Sequence, residues 1–153
     1  MKILIILLLL ALNLHAVNQN DLIGNWESIN RTVNNGTETI EKEYLTLNVN
    51  HTFSLILLVS LKKDASYVKD LRIEVTGTWD SRDNTLVYVV KNVNVPRAKE
   101  VYLISQQSLE NLAANFKFKY ENDTIHMSRI EILNKTMLNL LGEKGRETKY
   151  KRY

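Results

Sequence analysis

"LIGNWES", residues 22–28, places a glycine two residues before a tryptophan, and "GTWDSRDNTL", residues 77–86, repeats the spacing at Gly77 and Trp79. In an extended chain, residues two apart point to the same face. Each glycine therefore lies beside an indole on one side of a strand, where it clears space for the ring and for close passage of a bent chain. The tryptophan supplies a large apolar plug whose N–H seeks a carbonyl. Such a unit suits the end of a barrel, provided that the sequence around it reads as strands.

It does. "EYLTLNVN" sets Leu45, Leu47 and Val49 against Tyr44, Thr46 and Asn48. "TFSLILLVSLKK" puts Phe53, Leu55, Leu57, Val59 and Leu61 on one face. "LRIEVTGTWD" sets Leu71, Ile73, Val75, Gly77 and Trp79 against Arg72, Glu74, Thr76, Thr78 and Asp80. A period of two marks half-buried strands. "GNWESINR", "TLVYVVKNV", "TIHMSRIEIL", "TMLNLLG" and "RETKYKRY" bring the expectation to about eight strands. The turns between them, such as "NNGT", "VNHT", "SRDN" and "GEKG", are short enough to join antiparallel neighbours. The expected fold class is all-β: an eight-stranded up-and-down antiparallel barrel, closed because closure removes exposed strand edges.

One segment breaks the rhythm. "SQQSLENLAANFKF" spaces Leu109, Leu112, Ala113 and Phe116 as a helix does, behind Ser105 or Ser108 as N-cap. It predicts one short helix, near residues 105–116, inserted between the fifth and sixth strands. Its apolar stripe must be buried along the outer wall or across the barrel mouth as a lid. The wall is favoured, because Ile56 and Leu58 make the third strand apolar on both faces.

The chain opens with "MKILIILLLLALNLHA": one lysine, an apolar run from Ile3 to Leu12, and the small Ala16. That order predicts a secretory signal peptide over residues 1–16, too short for the roughly 20 apolar residues of a membrane span. The mature domain is then 17–153, a single unit. There are no cysteines, whereas small secreted animal domains usually lean on disulfides. The expected location is therefore bacterial, periplasmic or secreted, with no stable membrane anchor after signal cleavage. The net charge of +3 is too weak to argue for nucleic acid. Five Asn-x-Thr triplets, at Asn30, Asn35, Asn50, Asn122 and Asn134, read as turn chemistry in such a chain.

Candidate catalytic groups are few. His15, His51 and His126 lack partners at metal-ligand spacing. No nucleophile elbow, P-loop or dinucleotide fingerprint occurs. The expectation is no enzyme activity, no cofactor and no metal.

"LIGNWES" at the start of the first strand, "GTWDSRDNTL" midway and the ending "IEILNKTMLNLLGEKGRETKYKRY" resemble the lipocalin superfamily, the calycins, and most closely the short bacterial lipocalin-like domain proteins. The resemblance covers nearly all of residues 21–153. It implies that an arginine near the end of the last strand packs over the first-strand tryptophan, and Arg152 matches that position. Gly24, Trp26, Gly77, Trp79 and Arg152 then form the structural motif. The Thr-Asp-Tyr type loop motif and the disulfide of many members are absent. Two functions follow as expectations. The first is a binding protein holding a lipid or other small hydrophobic molecule, lined by Phe53, Leu55, Leu57, Leu71, Ile73, Val75 and Tyr88. The second is an envelope protein-interaction module, an inhibitor or assembly factor, whose barrel is filled by its own side chains. A cavity of roughly a few hundred cubic ångströms favours the first.

Overall fold

The computed structural model describes residues 17–96 and 98–153; the expected signal peptide lies outside the described residues. A short helix α1 (Gln19–Leu22) leads into β1 (Gly24–Asn34), β2 (Thr37–Leu47), β3 (Thr52–Lys63), β4 (Ser66–Arg82) and β5 (Thr85–Asn94). Then come β6 (Glu100–Tyr102), α2 (Gln106–Asn122), β7 (Ile125–Leu133), β8 (Met137–Gly142) and β9 (Glu147–Arg152). All pairings are antiparallel. Each of β1 to β4 pairs with the next, β5 pairs with β7, β7 with β8, β8 with β9, and β9 returns to β1, so eight strands close into an up-and-down barrel. The architecture is compatible with a lipocalin-like fold. β6 stands outside the ring, beside the start of β4, with Tyr102 opposite Tyr67. Its three residues are too few to display a period.

The turns are closed by residues that tolerate positive φ. Asn35 and Gly36, at φ 48° and 74°, make the β1–β2 turn, and Asp64 and Asp83 serve the β3–β4 and β4–β5 turns at 52° and 54°. Two of the Asn-x-Thr triplets act as the sequence suggests. The Asn50 Oδ1 accepts from the Thr52 amide at 3.2 Å and hydroxyl at 2.6 Å, and the Asn134 Oδ1 accepts from the same groups of Thr136 at 2.9 and 3.1 Å. The threonine two residues on thus clips the chain back onto the asparagine. Val49, expected on the inner face, sits in the first of these turns and is exposed. The strand ends at Leu47 because the His51 amide donates to the Asn48 carbonyl, which reverses the chain.

The start of β1, the β4–β5 and β7–β8 turns and the end of β9 share one end of the barrel, and Trp26 plugs it. The indole is fully buried, and its N–H donates to the Leu22 carbonyl at 2.8 Å. The Arg152 guanidinium lies 4.2 Å from the ring centroid, a favourable cation–π arrangement. It also donates to the Ile23 and Asp21 carbonyls at 2.8 and 2.6 Å, so the last strand ties down the segment entering the first.

The two glycines make room for different neighbours. A Cβ at Gly24, where φ is 140°, would run into the Arg152 guanidinium. A Cβ at Gly77 would overlap the Val89 carbonyl of β5 and the Phe53 ring, at a bulge where the β4–β5 register shifts. The cleared space therefore serves Arg152 and the β5 backbone, and the indoles benefit indirectly. Trp79 is anchored by its N–H to the Asn48 carbonyl at 3.0 Å, with His51 stacked on it at 5.3 Å.

α2 runs longer than the spacing predicts, to Asn122, because Tyr120 extends the Phe116 stripe by one more turn. Ser105 is its N-cap, accepting from the Ser108 amide at 3.1 Å. The helix packs on β5 and β4, and Leu109, Leu112, Phe116 and Tyr120 lie against the interior core. It covers the end opposite Trp26 and does not take the favoured outer-wall position over β3. Ile56 and Leu58 find other cover. Ile56 lies opposite Tyr44 and Glu74, and Leu58 opposite Lys42 and Arg72, long side chains whose stems shield apolar surface.

Candidate functional site

Above the packed floor the barrel interior turns polar, and there it holds a cavity of about 190 Å³. Leu45, Phe53, Leu55, Val75, Val90 and Leu140 form its apolar side. Glu43, Tyr88, Tyr120, His126, Arg146 and Tyr150 form its polar side, with Ser128 and Thr148 between. Alternation explains how they meet. Glu43 stands two residues before the buried Leu45 on β2, Tyr88 two after the buried Leu86 on β5, and His126 four before the buried Ile130 on β7. On β2 and β7 the inner face is apolar at the floor and polar higher up, whereas on β3 and β4 it stays apolar throughout. Tyr120 comes from α2, whose last turn reaches into the cavity and sets its ring 5.6 Å from His126.

Of the residues expected to line a cavity, Phe53, Leu55, Val75 and Tyr88 do so. Leu57, Leu71 and Ile73 are buried in the core and do not reach it. Leu57 and Ile73 are direct cross-strand partners and pack side by side in the core. The polar half was missed for one reason: inward positions were equated with apolar ones. The visible signal was a polar residue in register with the apolar face, as in Glu43-x-Leu45-x-Leu47.

Glu43 is the hub of the polar side. It accepts from the Tyr150 hydroxyl and from Arg146 Nη2 at 3.2 Å, while the same Nη2 holds Glu41 at 2.5 Å. Burial alone pulls Arg146 down, but the two carboxylates outweigh it and raise its pKa. Burial pushes Tyr88, Tyr120 and Tyr150 far above the ordinary tyrosine value, and the Glu43 charge adds to each. All three hydroxyls are therefore neutral and able to donate.

Two atoms stand out. Besides Arg152 Nε at the closed end, the Tyr88 hydroxyl and His126 Nε2 are the buried side-chain atoms without a hydrogen-bond partner among the described residues. They belong to directly opposed residues of β5 and β7, on the face that lines the cavity. An unpaired buried polar group costs about 1–3 kcal/mol, and native proteins carry few. Two side by side in one cavity mark a place built to meet something polar. Among the described residues no three His, Cys, Asp or Glu side chains gather closely enough to hold a metal ion. His51 is remote from the cavity, at the Trp26 end, with Nδ1 3.2 Å from the Trp79 carbonyl oxygen. The chain matches no protein-family model and no curated protein.

Proposed function

We propose that this barrel is a lipocalin-like binding module, exported to the periplasm or beyond, that holds one small molecule in the cavity between its Trp26 floor and α2. The observation that carries the reading is the unpartnered pair of Tyr88 hydroxyl and His126 Nε2, on adjacent residues that line that cavity. The Gly-x-Trp floor with Arg152 laid across it supports the kinship, and the charged, apolar and small-residue order of residues 1–16 supports export. The role is binding, with no reaction step.

Size narrows the ligand. A cavity of about 150 Å³ takes a benzene ring, so the 190 Å³ here suits one ring with a short polar arm. A long acyl chain does not fit unless α2 moves. The lipid expectation thus contracts to a compact amphipathic molecule.

A simple aromatic alcohol, 2-phenylethanol, tests the reading. Nuclear magnetic resonance titration should give saturable one-to-one binding, with shifts centred on Leu45, Phe53, Val75 and Leu140. Absence of saturable binding, or shifts confined to the outer surface, contradicts it. Tyr88→Phe provides the companion result. Removing a buried hydroxyl that has no partner should stabilise the chain by about 1 kcal/mol and raise Tm by several degrees, while weakening the alcohol several-fold. A variant that melts lower than the parent would show that the hydroxyl has a structural partner.

A further inference from the structure

We propose that the ligand of this cavity is a small primary amine, bound as its ammonium ion; the proposal rests on the binding role above and names the ligand's class. An ammonium group has three N–H donors and no acceptor. Three residues on the polar side of the cavity carry acceptors: Glu43 its carboxylate, Tyr88 its hydroxyl oxygen and, in the Nδ1–H tautomer, His126 its Nε2. The last two have no protein partner. Glu43 accepts only from Tyr150 and Arg146, so its carboxylate keeps acceptor capacity for a third donor.

Charge points the same way. Arg146 is shared, and its contact with Glu41, at 2.5 Å, is shorter than that with Glu43, at 3.2 Å. Two carboxylates against one guanidinium leave this three-residue cluster with one negative charge in excess. Lys119, 5.6 Å from the Tyr120 ring centroid, is exposed to solvent, where its charge is screened. Phe53, Tyr88, Tyr120 and Tyr150 line the cavity, and aromatic rings attract cations to their faces. A carboxylate in the same position would face Glu43, with Arg146 already held by two carboxylates. The apolar body of the amine would lie among Leu45, Val75, Val90 and Leu140.

Calorimetric titration of the full chain with three probes of one shape tests the proposal: 2-phenylethylamine, 2-phenylethanol and 3-phenylpropionate. The amine should bind about tenfold tighter than the alcohol, and the carboxylate weakest, each tenfold step being about 1.4 kcal/mol. Glu43→Gln should bring the amine to the affinity of the alcohol. Because Glu43 also holds Arg146 and Tyr150, Tyr88→Phe is the second variant. It leaves that network whole, and should weaken the amine several-fold relative to ethylbenzene, which has no polar group. If 3-phenylpropionate binds as tightly as the amine, or if both variants leave the amine untouched, the ligand class is wrong and the binding role stands. If none of the three probes binds, the binding role falls as well.

Discussion

Trp26→Ala should lower the stability of the folded chain by ~3–5 kcal/mol, the usual range for truncating a buried tryptophan. The ring is completely buried, holds the Leu22 carbonyl through its N–H, and carries the Arg152 guanidinium on its face. Its loss opens a cavity at the closed end and leaves Arg152 with two carbonyls and no surface to lie on. Arg152→Ala should cost less, because the indole would stay packed against the core. Urea melts of the two variants check the order. A Trp26→Ala protein that melts with the parent would mean that the closed end does not depend on this plug.

The second large effect is expected at Gly77. Gly77→Ala adds a single methyl group that meets the Val89 carbonyl and the Phe53 ring at once. The backbone carbonyl cannot step aside as a flexible side chain can, so β4 and β5 must separate at the bulge. Overpacking of this kind costs about 3 kcal/mol. Phe53 packs against Tyr88 with tilted rings whose centroids are 5.0 Å apart, so the same change should also disturb the cavity and weaken 2-phenylethanol. The control is Gly36→Ala, whose Cβ would enter open space at a φ of 74° that strains an alanine; it should cost some stability and leave the probe's affinity unaltered. Equal melts for Gly77→Ala and the parent would show that β5 does not pass as close as its carbonyl position requires.

The barrel was legible because its information is periodic and local. Alternation in "EYLTL", "TFSLILLVSL" and "LRIEVTGTW" sorts inside from outside without any knowledge of neighbours, and the resemblance placed Arg152 over Trp26. What Gly77 makes room for was not legible, since Val89 approaches it only through a register shift between two strands. The helix was found but misplaced. Its stripe shows that a face must be buried, and the choice between wall and mouth depends on Tyr120, one turn beyond the point where the apolar spacing was followed. The cavity was half legible. Phe53, Leu55, Val75 and Tyr88 follow from the apolar faces, but Glu43, His126 and Arg146 are charged or polar residues that sequence pattern alone assigns to solvent. They converge only when β2, β7 and the β8–β9 turn close around the same space.

The account turns on whether this space is occupied in the cell. Native mass spectrometry of the protein isolated gently from its own source tests that most directly. The predicted result is a chain that carries one small molecule under native conditions and releases it on denaturation, with an amine recovered in the released fraction. Identical masses in the native and denatured spectra, from protein never exposed to dialysis, would contradict it.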